Sequence, residues 1–156
     1  MIASVLVALD NSARAPGVLA AASEIAERFD AKMILYRAIV VAPEFPAAGH
    51  VAHGDPLPDY LVQTAARELS AIARGNARAS IEPPMVSIGQ PWRAIVETAD
   101  RLDVDLIVIG SHGYHGLDRI LGTTAGKVAN HANRNVLIVH NGAHSHSTPR
   151  HLPTQR

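Results

Sequence analysis

Residues 106–127 read LIVIGSHGYHGLDRILGTTAGK, an apolar run followed by a glycine-rich segment and the start of a helical pattern. Leu106 to Ile109 are large and apolar without alternation, which is typical of a strand buried on both faces of a parallel sheet. Gly122 and the two threonines after it open a predicted helix from about Thr123 to Ala132. A final apolar run from Val136 to Val139 predicts the next strand. This part of the chain therefore reads as strand, loop, helix and strand.

The same alternation extends back to the N-terminus. Apolar runs predict earlier strands at 5–9, 33–38 and 85–88, and helical spacing predicts helices between 18–29, 61–72 and 91–102. Ser12 is placed to cap the first helix, and Pro91 suits the first position of the third. Strands that alternate with helices predict an α/β fold, namely a single doubly wound sheet of five parallel strands with helices on both faces.

The pattern predicts one domain and two irregular segments. Residues 1–141 form the domain, without an internal repeat or a boundary. Residues 142–156 are predicted to be a disordered tail, because they are rich in polar residues and lack periodicity. The stretch from Pro43 to Pro58 holds four prolines and predicts a long surface loop.

The composition narrows the classes of function. The chain has 156 residues with 14 basic and 14 acidic side chains, so no overall charge favours nucleic acid or an anionic membrane. The chain contains no cysteine, which excludes disulfides and thiolate chemistry. No secretory leader is evident, and no apolar run approaches the roughly 18 residues that span a membrane. We therefore expect a cytoplasmic protein that partners neither nucleic acid nor a membrane.

A ligand is expected at the carboxyl ends of the strands, because open parallel sheets bind ligands there, near a topological switch point. The helix that opens at Gly122, Thr123 and Thr124 offers free backbone N–H groups and a positive dipole end, which suit phosphate. The alternative is that the glycines only permit turns and the threonines only cap a helix. Asp10 likewise has two interpretations, a ligand of ribose hydroxyls or an N-terminal cap shared with Ser12.

Other motifs fail when they are tested against the glycine-rich segment. A dinucleotide fingerprint requires its glycines after the first strand, and a Walker loop requires four residues between its glycine and Gly-Lys, where this chain has three. His112 and His115 lack the carboxylates or cysteines that would complete a metal site. Arg119 could reach a phosphate or remain a solvated cation. No convincing catalytic base is present, so we expect no enzyme activity beyond slow ATP hydrolysis.

The sequence resembles the universal stress proteins over roughly residues 2 to 140. The resemblance rests on a short first strand ending at Asp10, on Gly89 with Pro91, and on residues 105–113, DLIVIGSHG. It also rests on Gly122-Thr123 and on the closing segments 130–132 and 136–139. It implies a Rossmann-like fold of the adenine nucleotide α-hydrolase type that binds ATP, with Mg²⁺ as the counter-ion of the phosphates. It also implies a homodimer that pairs through the last strand, Val136 to Val139.

The resemblance implies a set of ATP-binding residues on four segments. Ala8, Leu9 and Asp10 would flank the adenine and ribose, and the backbone at Ala38 would recognise the adenine edge. The remaining members of the set would line the ribose and phosphates: Gly110, His112, Gly113, Gly122, Thr123 and Thr124. Only eight residues separate Gly113 from Gly122, one fewer than in the family's motif. Either the two threonines move into the phosphate-contacting places, which we favour, or the tightened loop weakens binding.

Three functions follow from these observations. The first is an ATP-binding regulatory or stress-response protein that acts through contacts with an unidentified protein partner. The second is an enzyme of the related α-hydrolase class, which the segment Asp10-Asn11-Ser12-Ala13 does not support, because it lacks that class's phosphate-loop signature. The third is a structural dimerisation module that has lost its nucleotide, which only the shortened loop supports.

Overall fold

The computed structural model describes residues 1–41, 57–76, 80–111 and 123–140. Strands and helices alternate along these residues, as the apolar runs and helical spacings predict. The elements are, in chain order, β1 (Ser4–Ala8), α1 (Ala15–Phe29), β2 (Lys32–Ile39), α2 (Leu57–Gly75), β3 (Ile81–Ile88), α3 (Pro91–Arg101), β4 (Leu106–Gly110), α4 (Thr123–His131) and β5 (Asn135–Val139). The predicted tail at 142–156 lies outside the described residues, as does the predicted loop up to residue 56.

All five strands form one parallel sheet in the order β3-β2-β1-β4-β5. The chain builds outward from β1 to β3 on one side, then crosses back to place β4 beside β1. The predicted doubly wound fold is confirmed. The reversal puts the carboxyl ends of β1 and β4 next to each other at the topological switch point, with Ala8 paired to Ile109.

Two cores cover the two faces of the sheet. Buried residues of α1 and α2, such as Val18, Ala22 and Leu69, pack on one face against Val5 and Val7. On the other face, buried residues of α3 and α4 pack against the sheet: Ile95, Ala99, Ala125 and Val128. The central strands are buried on both sides because helices cover both faces, which explains their continuous apolar runs.

Three local details differ from the sequence-based expectation. Strand β3 begins at Ile81 rather than Met85 and contains Pro83 and Pro84. Proline is tolerated there because β3 lies at the edge of the sheet, where one side of the strand has no ladder to donate to. Helix α2 begins at Leu57, so Pro58 occupies its first turn instead of the surface loop. Phe29 follows the helical spacing of α1 but is 51% exposed at its end.

Asp105 joins the amino ends of the two central strands. Its Oδ2 accepts hydrogen bonds from the backbone N–H of Ala3 at 2.8 Å and of Ser4 at 3.0 Å, and from Ser4 Oγ at 3.2 Å. These two backbone donors, Ala3 first, hold the pKa of the Asp105 carboxyl below its ordinary value of 3.8. The tie lies at the end of the sheet opposite the switch point. Among the described helices, none is long and apolar enough to cross a membrane.

Candidate functional site

A cavity of about 270 Å³ lies at the carboxyl ends of the central strands, at the switch point. Its walls combine strand ends with the first turns of helices from both layers. The lining residues are Ala8, Leu9, Asp10, Ser12, Arg14, Ala15, Val18, Tyr36, Ala38, Pro91, Ile95, Ile109, Gly110, Ser111 and Thr124. This is the position at which a doubly wound sheet offers a ligand site.

Six of the ten predicted site residues line this one cavity: Ala8, Leu9, Asp10, Ala38, Gly110 and Thr124. Thr123, the first residue of α4, is exposed and is not part of the lining. His112, Gly113 and Gly122 lie outside the described residues, as do His115 and Arg119. The fold therefore brings together residues that are up to 116 positions apart, from Ala8 to Thr124.

Gly110 has a packing requirement of its own. A Cβ atom on this residue would stand 3.0 Å from Cγ2 of Val18, so the missing side chain lets α1 approach the end of β4. The interpretation of this glycine as a purely structural residue therefore has support in the fold. Close helix packing and cavity lining are compatible here, because Val18 also forms part of the cavity wall.

The turn between β1 and α1 is built by its own polar side chains. Oδ1 of Asp10 accepts hydrogen bonds from Ser12 N at 3.0 Å and from Ser12 Oγ at 2.6 Å. The N-cap of α1 is Arg14, which makes no capping hydrogen bond through its side chain. The predicted cap at Ser12 is wrong, because the N-cap is Arg14, two residues later, and Ser12 Oγ accepts from Arg14 N at 3.3 Å within the preceding turn.

Arg14 joins this turn to the end of β4. Its Nη1 donates to the backbone carbonyl of Ser111 at 2.9 Å, so the guanidinium bridges the two strand ends that flank the switch point. Arg14 and Asp10 supply the charges among the described lining residues. Sequence reasoning missed Arg14, since a single arginine in a predicted loop carries no signal of its own.

Two further residues of β2 support the site and were also missed. Tyr36 is buried in the cavity wall, and its hydroxyl is hydrogen-bonded to Ser87 Oγ of β3. Arg37 has a side chain that is 9% exposed and forms an ion pair with Glu68 of α2. A charge in the middle of a largely apolar run is rare enough that the stretch Leu35-Tyr36-Arg37-Ala38 could have marked this position.

Trp92, in the first turn of α3, is a packing residue at the edge of the core on that face of the sheet. Its ring lies 4.7 Å from the His131 ring of α4, centroid to centroid, with the guanidinium of Arg93 5.5 Å from the indole centroid. Its Nε1 is buried without a hydrogen-bond partner in the part of the chain that the structure describes. Trp92 does not line the cavity.

The cavity combines two chemical environments. Its strand side is largely apolar, with Ala8, Ala38 and Ile109, which suits a flat apolar ring. Its α4 side presents Thr124 within the first turn of a helix, where free backbone N–H groups and the helix dipole favour an anion. A ligand with an aromatic and an anionic part matches this arrangement.

Comparison with known proteins shows which family the sequence matches. The sequence model of the universal stress protein family matches residues 1–140. Universal stress protein A homolog 2 of Coxiella burnetii is 33% identical over 135 residues, which cover 86% of this chain and 91% of that protein.

Solved structures of universal stress proteins also resemble this chain. A universal stress protein solved in complex with cAMP is 27% identical, with a TM-score of 0.64 over 89% of this chain and 97% of that one. A universal stress protein from Archaeoglobus fulgidus, solved in complex with dAMP, is 24% identical, with a TM-score of 0.61 over 88% and 98% of the two chains. At that lower identity the second likeness establishes the fold alone.

Proposed function

The chain belongs to the universal stress protein family, and from that premise we propose that it is an ATP-binding regulatory or stress-response protein. One observation carries this proposal: six residues predicted to bind ATP line a single cavity at the switch point. The likeness to a universal stress protein solved with cAMP supports an adenine nucleotide as the ligand class.

We place the base among Ala8, Leu9 and Ala38 and the phosphates at the start of α4. The apolar strand ends would bury the adenine ring, and the Ala38 backbone would bind its edge. Asp10 would accept from ribose hydroxyls beside it. Thr124, the α4 N–H groups and neighbouring Thr123 would donate to phosphate oxygens, with Mg²⁺ as their counter-ion.

We further propose that nucleotide occupancy, rather than catalysis, is the function. The described lining residues offer two charged side chains, Asp10 and Arg14, and both are engaged in the β1–α1 turn and its tie to β4. Phosphoryl transfer needs a positioned base and several charge clamps. With so few charged groups available for catalysis, we propose a cytoplasmic protein whose surface changes when nucleotide binds. A protein partner would recognise that change.

A homodimer through β5 is part of the proposal. Val136 to Val139 remain half-exposed at the edge of the sheet, and an apolar edge strand is prone to pair with another chain. The mass of the protein in solution tests this, because a monomer at micromolar concentration would contradict it.

The proposed phosphate contact is tested by replacing Thr124 with valine, which keeps the branched shape and removes the hydroxyl donor. We expect Thr124→Val to weaken ATP binding about tenfold, the cost of one hydrogen bond to a charged group. Adenosine binding should change far less, because adenosine has no phosphate. Isothermal titration calorimetry with ATP and adenosine measures both affinities.

Thr64→Val is the matched control, since Thr64 lies on α2 away from the cavity lining. It should leave both affinities unchanged. Equal ATP affinity in wild-type protein and Thr124→Val would exclude the Thr124 hydroxyl as a donor to the phosphates. Failure of the wild-type protein to bind any nucleotide would favour a structural dimerisation module.

A further inference from the structure

Arg37 departs from the rule that buried strand residues are apolar. Its side chain is 9% exposed on the face of the sheet that α1 and α2 cover, yet it carries a full charge. Burying a guanidinium is costly, and its partner Glu68 is 47% exposed, so solvent screens the pair and the pairing offsets only part of that cost. Its contacts therefore suggest a role other than stability.

The guanidinium group contacts two different elements. Nη1 is paired with Oε2 of Glu68 on α2, and Nε donates to the backbone carbonyl of Leu9 at 3.3 Å. Leu9 directly follows β1 and lines the cavity. Arg37 thus binds the cavity wall from behind, without lining the cavity itself.

The Leu9 carbonyl has a second natural partner in the sheet. The ladder between β1 and β2 continues past Ala8, because Leu9 N donates to Tyr36 O at 2.9 Å. In a regular parallel ladder the Leu9 carbonyl would accept next from the backbone N–H of Ala38. Within the described residues no hydrogen bond joins those two atoms, and the carbonyl accepts from Arg37 Nε.

We propose that Arg37 is a positioning residue that holds the Leu9 carbonyl so that the Ala38 backbone N–H stays available to the edge of a bound base. This inference rests on the proposed nucleotide site, and it assigns base selectivity to a residue that does not touch the ligand. A backbone N–H donor matches an acceptor such as N1 of adenine. It opposes the N1–H donor of hypoxanthine or guanine, and a buried mismatch of two donors discriminates strongly.

Arg37→Met tests the role because methionine fills a similar volume without charge or donor. The freed Leu9 carbonyl should then pair with Ala38 N–H and close the ladder. We expect the ratio of ATP affinity to ITP affinity to fall about three- to tenfold, the worth of one hydrogen bond. We also expect slower hydrogen exchange of the Ala38 amide in nucleotide-free protein, which a merely structural role would not produce.

Glu68→Gln is the matched control on the same ion pair. Glutamine still accepts a hydrogen bond from Arg37, so the contact with Leu9 persists while the charge pair is lost. This variant should melt at a lower temperature and keep the wild-type preference for ATP over ITP. Arg37→Lys is a second test variant, because lysine keeps the charge beside Glu68 but has no Nε donor to offer Leu9.

The outcomes are separable. A reduced ATP preference in both Arg37 variants, with wild-type preference in Glu68→Gln, supports the inference. Unchanged preference and unchanged Ala38 exchange in Arg37→Met or Arg37→Lys would overturn it while leaving the nucleotide site intact. A wild-type protein that binds neither ATP nor ITP would overturn the proposed function and this inference together.

Discussion

At the scale of single residues, Gly110 both allows a close helix contact and lines the candidate site. The glycine permits the close approach of Val18, and both residues line the cavity. A glycine in the sequence does not reveal whether its missing side chain makes room for a ligand or for a packed helix. A Cβ at this position would stand 3.0 Å from Cγ2 of Val18, so packing alone offers a reason for glycine here.

Gly110→Ala should destabilise the protein by about 1–3 kcal/mol, because the added methyl group would overlap Val18 in a packed core. Urea denaturation measures the loss of unfolding free energy. The double variant Gly110→Ala with Val18→Ala should cost less than the sum of the single changes, since the second change removes the clashing atom. Strict additivity would show that Val18 is not the source of the cost.

At the scale of elements, the two ends of the β1–β4 pair are held by different chemistry. The carboxyl ends are bridged by Arg14 and open onto the cavity, whereas the amino ends are closed by Asp105. The amino ends are thus joined by hydrogen bonds to one carboxylate, and the cavity lies at the opposite end. Open parallel sheets bind ligands beyond the carboxyl ends of their strands, which is the end that opens onto the cavity here.

The Asp105 tie predicts a specific pH dependence. Since its pKa is lowered by folding, its stabilisation is fully present above the ordinary value of 3.8 and is lost as the pH falls through the depressed folded pKa. Asp105→Asn should therefore lower stability at neutral pH and flatten the fall of unfolding free energy as the pH drops below 3.8. Denaturant titrations at several pH values measure this slope.

Glu97→Gln, at an exposed position of α3, is the control and should keep the wild-type slope. Equal slopes in wild-type protein and Asp105→Asn would mean that the backbone hydrogen bonds of Ala3 and Ser4 do not depend on the charge.

Element type and order could be predicted from the sequence because apolar runs and helical spacing follow directly from burial. The start of β3 could not, since Pro83 and Pro84 argue against a strand unless its edge position is known. The capping role of Ser12 also failed, because the Ser12 hydroxyl bonds to Asp10 and Arg14 within the turn and the helix begins only after it, with Arg14 as the N-cap. Sequence signals for a helix cap or a strand start are therefore unreliable where neighbouring polar groups or the position in the sheet favour another local structure.

The candidate site was predictable only in part, for a related reason. Residues that follow strands, such as Leu9, Asp10 and Gly110, are marked by their position at strand ends. Arg14 and Arg37 act through backbone carbonyls 97 and 28 residues away, at Ser111 and Leu9. Such contacts depend on strand order, which sequence periodicity does not specify.

At the scale of the whole molecule, strand order determines where the cavity lies. Because β4 returns beside β1, helices leave the two neighbouring strand ends on opposite faces and a gap remains between them. The cavity occupies this gap. The central proposal is that an adenine nucleotide, ATP, fills it.

The most direct test is to denature the purified protein and identify any released nucleotide by chromatography and mass, then to add millimolar ATP to nucleotide-free protein and follow its melting temperature. We expect either about one ATP per chain on release or a rise of several degrees on addition, because a ligand that binds only the folded state stabilises it. A protein that releases no nucleotide and melts at the same temperature with ATP would contradict the proposal.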